Sequence, residues 1–111
     1  MAFDATYLHL AREHGGTVGC KEWIYDTLDA TGTVDGTGYF AGMGAGAATS
    51  KGMEVGDKVL VRIWTTAIPT TTAEKLAATI ADAGTHLVIA ATAAGACTVS
   101  AETAIVVAAG V

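Results

Sequence analysis

The 111-residue sequence has a single proline, only two cysteines, and neither asparagine nor glutamine. Without asparagine there is no acceptor for N-glycosylation. Cys20 and Cys97 belong to no C-x-x-C pair, so the thiols indicate neither a metal site nor a redox motif. A disulfide between them remains open, although free buried thiols are typical of a cytoplasmic protein.

Basic residues are scarce as well. Six Lys and Arg stand against eleven Asp and Glu, which gives a formal net charge of −5. The few cations are not clustered along the sequence, whereas a nucleic-acid-binding surface needs grouped cations to neutralise phosphates. The composition therefore predicts no nucleic-acid partner.

Long hydrophobic runs are also missing. Residues 1–10 include Asp4 and His9, and they lack the basic start and apolar run of a signal peptide. The Ala- and Val-rich segment 103–111 is too short to cross a bilayer, which takes about 20 residues in a helix. We therefore predict a protein made and kept in a cytoplasm, with no membrane partner.

Small residues dominate what is present. The chain has 14 glycines, and much of its 51% hydrophobic content is alanine, so we predict a thin core. The length allows one domain. We divide the chain into an N-terminal arm or short helix at 1–19 and a single β-rich domain at 20–111. A thin core in a glycine-rich chain favours association that completes the burial.

The strongest strand signal is at 58–64, which follows the turn sequence Glu-Val-Gly-Asp at 54–57. Alternation places Val59, Val61 and Ile63 on one face, the pattern of a half-buried strand over a core. The opposite face carries Lys58, Leu60, Arg62 and Trp64. We expect this second face to be covered or to meet another chain, so that Arg62→Glu would weaken association and leave the fold intact.

Four further segments show strand patterns, at 21–27, 85–91, 96–100 and 103–107. Trp23 and Tyr25 share one side of the first segment, and the apolar run at 85–91 predicts a strand buried on both faces. Short strands at close spacing with tight turns predict a mainly β fold, a small antiparallel β-sandwich or barrel.

Two helices complete the predicted fold. Asp4 is placed to cap a helix over 5–13, which gives the β domain a short N-terminal helix or arm. A T-x-x-E capping box at 71–74 opens one inserted helix over 73–83, with Gly84 at its end. The glycine-rich segment 41–52 lies between the predicted strands and is expected to be a surface loop.

No arrangement of residues in the sequence indicates catalysis or metal binding. His9, Glu13 and His14 form H-x-x-x-E-H, which differs from the metalloprotease spacings. His86 begins a predicted strand without nearby Asp or Ser partners for a triad. The glycines at 42, 44 and 46 fit neither the dinucleotide nor the P-loop pattern. We therefore predict no enzyme, no cofactor and no metal.

Three motifs in combination resemble small accessory virion proteins of tailed bacteriophages. They are W-x-Y-x-T at 23–27, G-Y-F at 38–40 and V-G-D-K-V-L-V at 55–61. The likeness covers residues 20–64 well and 85–107 loosely, through H-L-V at 86–88 and G-x-x-T-V-S at 95–100. The glycine-rich insert 41–52 and the helix 73–83 depart from the pattern. The third motif is also similar to co-chaperonins and to biotinyl or lipoyl carriers, but the mobile loop and the modified-lysine hairpin of those families are absent.

The resemblance implies a capsid decoration (cement) protein or a head-spike component on the virion surface. Such a protein is all-β, non-enzymatic and a homotrimer, and its partners are the major capsid protein or other head proteins. It would be synthesised in the host cytoplasm. As interface residues we single out Arg62, Trp64, Trp23 and Tyr39.

A second function class is a small carbohydrate-binding β-module. Its stacking platform would use exposed aromatic rings among Trp23, Tyr25, Tyr39 and Trp64. The mass in solution distinguishes the two hypotheses, because a trimer without glycan binding favours the virion role and a glycan-binding monomer favours the module.

Overall fold

The structure is a computed structural model, and it describes residues 3–13, 21–36, 38–40, 42–43, 52–91 and 97–105. Within these residues the chain is mainly β, with one mostly antiparallel sheet, a 3-10 turn and two short α-helices. The strands are β1 (Leu8–Glu13), β2 (Lys21–Thr27), β3 (Lys58–Trp64), β4 (Ile80–Ala91), β5 (Cys97–Val99) and β6 (Thr103–Ile105). The helices are α1 (Thr31–Val34) and α2 (Thr72–Ala77). The predicted mainly β class is confirmed.

The strand order is β1-β2-β3-β4-β5, and β6 also pairs with β4. The described pairs are antiparallel except β2 with β3, where Trp23 lies opposite Val59 and Tyr25 opposite Val61. Parallel neighbours need a long crossover, and the segment between β2 and β3 supplies it. The described part of that crossover brings Phe40, Met43 and Met53 into the core.

The core lies against one face of the sheet. Val59, Val61 and Ile63 of β3 are buried there beside Trp23 and Tyr25 of β2, as the alternation predicted. The remaining buried members of the cluster are Leu8, Val34, Phe40, Met43, Met53, Val88, Cys97 and Val99. The bounds predicted for β2 and β3 are confirmed.

The prediction for β4 was wrong in both extent and burial. The strand begins at Ile80, and its side chains alternate, so that Leu87 and Ile89 are exposed while Val88 is buried. The register continues from Ala91 opposite Cys97 to Ala83 opposite Ile105, so β5 and β6 follow each other along β4. No other layer formed by the described residues covers the second face of β4, so its apolar side chains Leu87 and Ile89 are exposed.

The predicted helix over 5–13 was also wrong. Asp4 Oδ1 accepts a hydrogen bond from the Thr6 amide at 2.9 Å and starts only a 3-10 turn, Ala5–Tyr7. Residues Leu8–Glu13 then form β1, which pairs with β2 and buries Leu8 opposite Tyr25. Burial of one large side chain and pairing along β2 outweigh a weak helical stripe.

The inserted helix exists but is shorter than predicted. Thr71 is its N-cap, and the Thr71 hydroxyl accepts the Glu74 amide at 3.1 Å, as the capping box indicated. The helix ends at Ala77 instead of Ala83, because Ile80 onward joins the sheet beside Trp64. No residue of α2 is buried, so the helix does not pack on the core.

We expect Thr71→Ala to open α2 locally without lowering the global stability. An N-cap is worth about 1 kcal/mol, and α2 is uncoupled from the core because it buries nothing. Amide exchange at Glu74 and Lys75 should therefore quicken about fivefold, while the urea midpoint stays unchanged. Thr72→Ala, one residue further into the helix, is the matched control and should leave exchange near the wild-type rate. A lowered urea midpoint for Thr71→Ala would contradict the uncoupling.

Other predictions fall largely outside the described residues. Of the glycine-rich segment 41–52, the structure describes 42, 43 and 52, and it does not describe His14 or Cys20.

Cys97 is a buried free thiol. Burial, followed by the nearby negative charge of Asp57, raises the pKa of this thiol to about 11.

Candidate interaction surface

The turn before β3 is hydrogen-bonded to the start of β2. Gly56 has a positive φ of 95°, and the Asp57 amide donates to the Glu54 carbonyl at 3.1 Å, which closes the predicted tight turn. The Asp57 carboxylate is 1% exposed. It accepts hydrogen bonds from the Glu54 amide at 2.9 Å, the Lys21 amide at 3.1 Å and Trp23 Nε1 at 3.1 Å. The Trp23 side chain is therefore held in the core by its hydrogen bond to Asp57.

Tyr39 belongs to an aromatic cluster beside the core. Its ring makes edge-to-face contacts with Phe3, Tyr25 and Phe40. The Tyr39 hydroxyl donates to Asp29 Oδ2 at 2.5 Å and lies 2.8 Å from the Tyr25 hydroxyl. Burial, with these hydrogen bonds, raises the pKa of Tyr39 well above its usual value, so the phenol stays neutral. These contacts make Tyr39 a packing residue.

Arg62 and Trp64 meet on the opposite face of the sheet. Arg62 donates from Nε and Nη2 to the two oxygens of Asp26 at 2.7 and 2.9 Å, a bidentate ion pair. Trp64 Nε1 donates to Asp26 Oδ1 at 2.9 Å, and the Arg62 guanidinium lies 5.7 Å from the Trp64 ring centroid. Asp26 thus binds Arg62 and Trp64, two of the four residues that the sequence analysis singled out as interface residues.

Of the four predicted interface residues, Trp23 and Trp64 are buried, and Arg62 and Tyr39 are half-buried. The exposed apolar area that the structure describes lies elsewhere. Among the described residues, the exposed large hydrophobic ones are Leu10, Leu28, Val55, Leu76, Ile80, Leu87, Ile89 and Ile105. Sequence reasoning missed them because alternation shows which residues share a face but not which face another layer covers.

Several of these residues lie on what we call the outer sheet face, formed by the side chains of β2, β3, β4 and β6 that point away from the core. Ile24 and Leu60, half-buried neighbours in the register, form its centre. Leu87 is opposite Lys58, and Ile105 is opposite Ala83. Leu87 and Ile105 are 51% and 41% exposed.

Charged side chains on this face are largely paired. Glu22 meets Arg12 Nε and Lys58 Nζ, each at 3.6 Å, while Asp26 holds Arg62. Surface ion pairs contribute little stability, but they neutralise charge beside the apolar centre. A groove of about 220 Å³ runs along the β1 side of the face, with Ile24 and Leu60 in its lining.

His86 is packed as a structural residue. Its imidazole is buried, and Nδ1 lies 2.7 Å from the Ser100 carbonyl oxygen, so Nδ1 carries the proton that is donated there. Nε2 of the same ring and Oε2 of Glu102 are buried and have no hydrogen-bond partner among the described residues. Glu102 lies against Gly84, where an added Cβ would come within 3.0 Å of the Glu102 Cβ. Glycine at 84 therefore allows this close approach.

Within the described ranges, no three His, Cys, Asp or Glu side chains are grouped so that they could hold a metal ion. None of the helices in the described part of the chain is long and apolar enough to span a membrane. No protein-family model, curated protein or solved structure matches this chain.

Proposed function

We propose that the protein is a non-enzymatic structural subunit of a tailed-bacteriophage virion, a capsid decoration (cement) protein or head-spike component. It acts as a homotrimer on the capsid surface, bound to the major capsid protein or other head proteins. The resemblance of the motifs at 23–27, 38–40 and 55–61 supports this proposal from the sequence.

The observation that carries the proposal is the outer sheet face. An antiparallel sheet with one face in water ordinarily shows polar side chains on that face. Here Leu87 and Ile105 are 51% and 41% exposed on the face that also holds the half-buried pair Ile24 and Leu60. Exposed apolar side chains with polar ones beside them are typical of a protein–protein contact. A cement protein would bury such side chains against the capsid shell or against a second copy of itself.

The carbohydrate-binding alternative gains no support from the arrangement of the aromatic rings. The sequence has two Trp, three Tyr and two Phe, and all of them lie within the described residues. None is exposed, because each is buried or half-buried. Sugar stacking needs an open ring face, so no observation favours the module.

The test combines mass in solution with binding to phage heads that lack the protein. We expect wild-type protein to have the mass of about three chains and to sediment with the heads. Leu87→Glu places a charge on the outer sheet face and should abolish at least one of these two properties. Val55→Glu is the matched control, because Val55 is 63% exposed but lies in the turn before β3. A wild-type monomer that does not bind heads would refute the proposal.

A further inference from the structure

The outer sheet face repeats one order of charges along its two central strands. Three successive pairs of the β2–β3 register point away from the core, and we call each pair a row. The rows are Glu22–Lys58, Ile24–Leu60 and Asp26–Arg62. In both charged rows the acid is on β2 and the base is on β3, and the apolar row lies between them. The two strands run in the same direction because their pairing is parallel.

This order of charges matches itself after a half-turn about an axis that runs along the strands, between β2 and β3. The rotation places β2 of a second copy over β3 of the first, in the same direction and at the same row. Each acid then faces the base of the same row in the partner, and Ile24 faces the partner's Leu60. Sheets packed face to face keep their strands within about 30° of each other, so the rows near the axis keep these partners.

A half-turn about an axis across the strands gives the opposite result. It places β2 over the partner's β2 in the reverse direction, so Glu22 would face the partner's Asp26. On β3, Lys58 would face the partner's Arg62. Like charges that face each other disfavour a contact. The charge order therefore selects the axis along the strands.

The charge balance favours this face for a contact between copies. The two charged rows, with Arg12 reaching the face from β1, contribute three bases and two acids, a net charge of +1. The whole chain has a net charge of −5, so the remainder of the chain carries −6. Copies that met through the remainder would bring mainly acidic groups together, whereas the charges of the outer sheet face are nearly balanced.

The same half-turn covers Leu87, which is 51% exposed. In the first row, Arg12 lies beside Glu22 on β1, and Leu87 lies beside Lys58 on β4. The rotation exchanges these two flanks, so Leu87 meets the partner's Arg12. The Arg12 side chain is 69% exposed, and its aliphatic stem can cover Leu87 while the guanidinium stays in water.

We infer that the outer sheet face recognises the same face of a second copy, so that two chains pair about a two-fold axis along the strands. Such a contact is isologous, whereas the three-fold contact of the proposed trimer uses different surfaces. The pairing therefore goes beyond the proposed function and joins chains of neighbouring trimers. Trimers joined on a capsid would hold one another there, because linked binding sites act together.

The first experiment follows the mass of the protein by sedimentation equilibrium as its concentration rises. Three rows make a small contact, at the low end of specific interfaces, about 1,200 Å² in total. We therefore expect the mass to double between micromolar and millimolar concentrations. Lys58→Glu should weaken the pairing about fivefold, because the new carboxylate faces the partner's Glu22. Lys75→Glu makes the same change at an exposed position on α2 and should pair as the wild type does.

The second experiment exchanges the charges of the first row. The variant with both Glu22→Lys and Lys58→Glu keeps one acid and one base in that row, so it should pair with itself. With the wild type it should pair about fivefold more weakly, because acid then faces acid and base faces base. Energy transfer between donor-labelled and acceptor-labelled chains measures each combination.

Three results would overturn the inference. They are a mass that stays constant as the concentration rises, an exchanged variant that does not pair with itself, and equal energy transfer for the wild type with itself and with the exchanged variant. The virion role is tested separately by the mass at the lowest concentration and by binding to heads. Its failure would leave the pairing of the outer sheet face in place.

Discussion

Replacing Asp57 with alanine is expected to lower the free energy of unfolding by about 2–4 kcal/mol, a large part of the 5–15 kcal/mol typical of a small domain. The substitution leaves three donors without their acceptor, the amides of Lys21 and Glu54 and the indole of Trp23. Only the Trp23 indole bond is buried, and a buried donor left unpaired costs about 1–3 kcal/mol, whereas the partly buried Lys21 and Glu54 bonds contribute less. Because Lys21 and Trp23 belong to β2, the loss also separates that strand from the turn before β3.

Two further variants make this expectation specific. Asp57→Asn keeps one oxygen for the Trp23 and Glu54 donors but turns its amide group toward the Lys21 amide, so it should lose about half as much stability. Asp35→Ala removes a half-buried carboxylate in the turn after α1 and serves as the control. Urea denaturation followed by tryptophan fluorescence gives the three free energies. Equal midpoints for the Asp57 and Asp35 alanine variants would show that the Asp57 hydrogen bonds contribute no net stability.

Sequence patterns correctly predicted the elements whose structure depends mainly on residues close together in the sequence. The strand at 58–64 follows from strict alternation of β-branched residues, and the turn before it follows from a glycine that takes a positive φ. The cap at Thr71 follows from a side chain bonded three residues ahead. Each of these interactions involves neighbours in sequence, so it is visible in the sequence.

Segments whose structure depends on distant residues were predicted poorly. Residues 8–13 became a strand because Leu8 fits beside Tyr25, and 80–83 left the predicted helix because Ile80 pairs with Trp64. The parallel pairing of β2 with β3 has no local signal either. It depends on how the crossover packs Phe40, Met43 and Met53 onto the core.

The same limit applies to the candidate surface. The sequence correctly placed Arg62 on the face opposite the core, but it could not show that Asp26, 36 residues earlier, holds the guanidinium there. It also could not show that α2 would bury nothing, because the burial of a short helix depends on what lies beneath it. Interfaces made of exposed apolar side chains are visible only once the covered face is known.

Arg62→Glu is the second substitution with a large expected effect. The structure indicates that it should lower the stability of the fold, which the sequence did not predict. From its place on β3 alone, the substitution was expected to weaken association and leave the fold intact. Asp26 is buried, however, and the new carboxylate would face it without a compensating cation. Breaking a buried ion pair from one side costs about 3–5 kcal/mol, and the lower end applies because the Arg62 side chain is 30% exposed. We therefore expect a loss of about 3 kcal/mol.

The controls for Arg62 use the same face of the same strand. Lys58→Glu reverses a charge at a more exposed position and should change the stability by less than about 1 kcal/mol. Arg62→Lys keeps the charge but loses the bidentate geometry, so it should fall between the wild type and Arg62→Glu. The measurement is the urea midpoint at two protein concentrations, because a contribution from association would make the midpoint depend on concentration. If Arg62→Glu and Lys58→Glu unfold at the same urea concentration, the Asp26–Arg62 pair does not stabilise the fold and Arg62 is free to serve a partner.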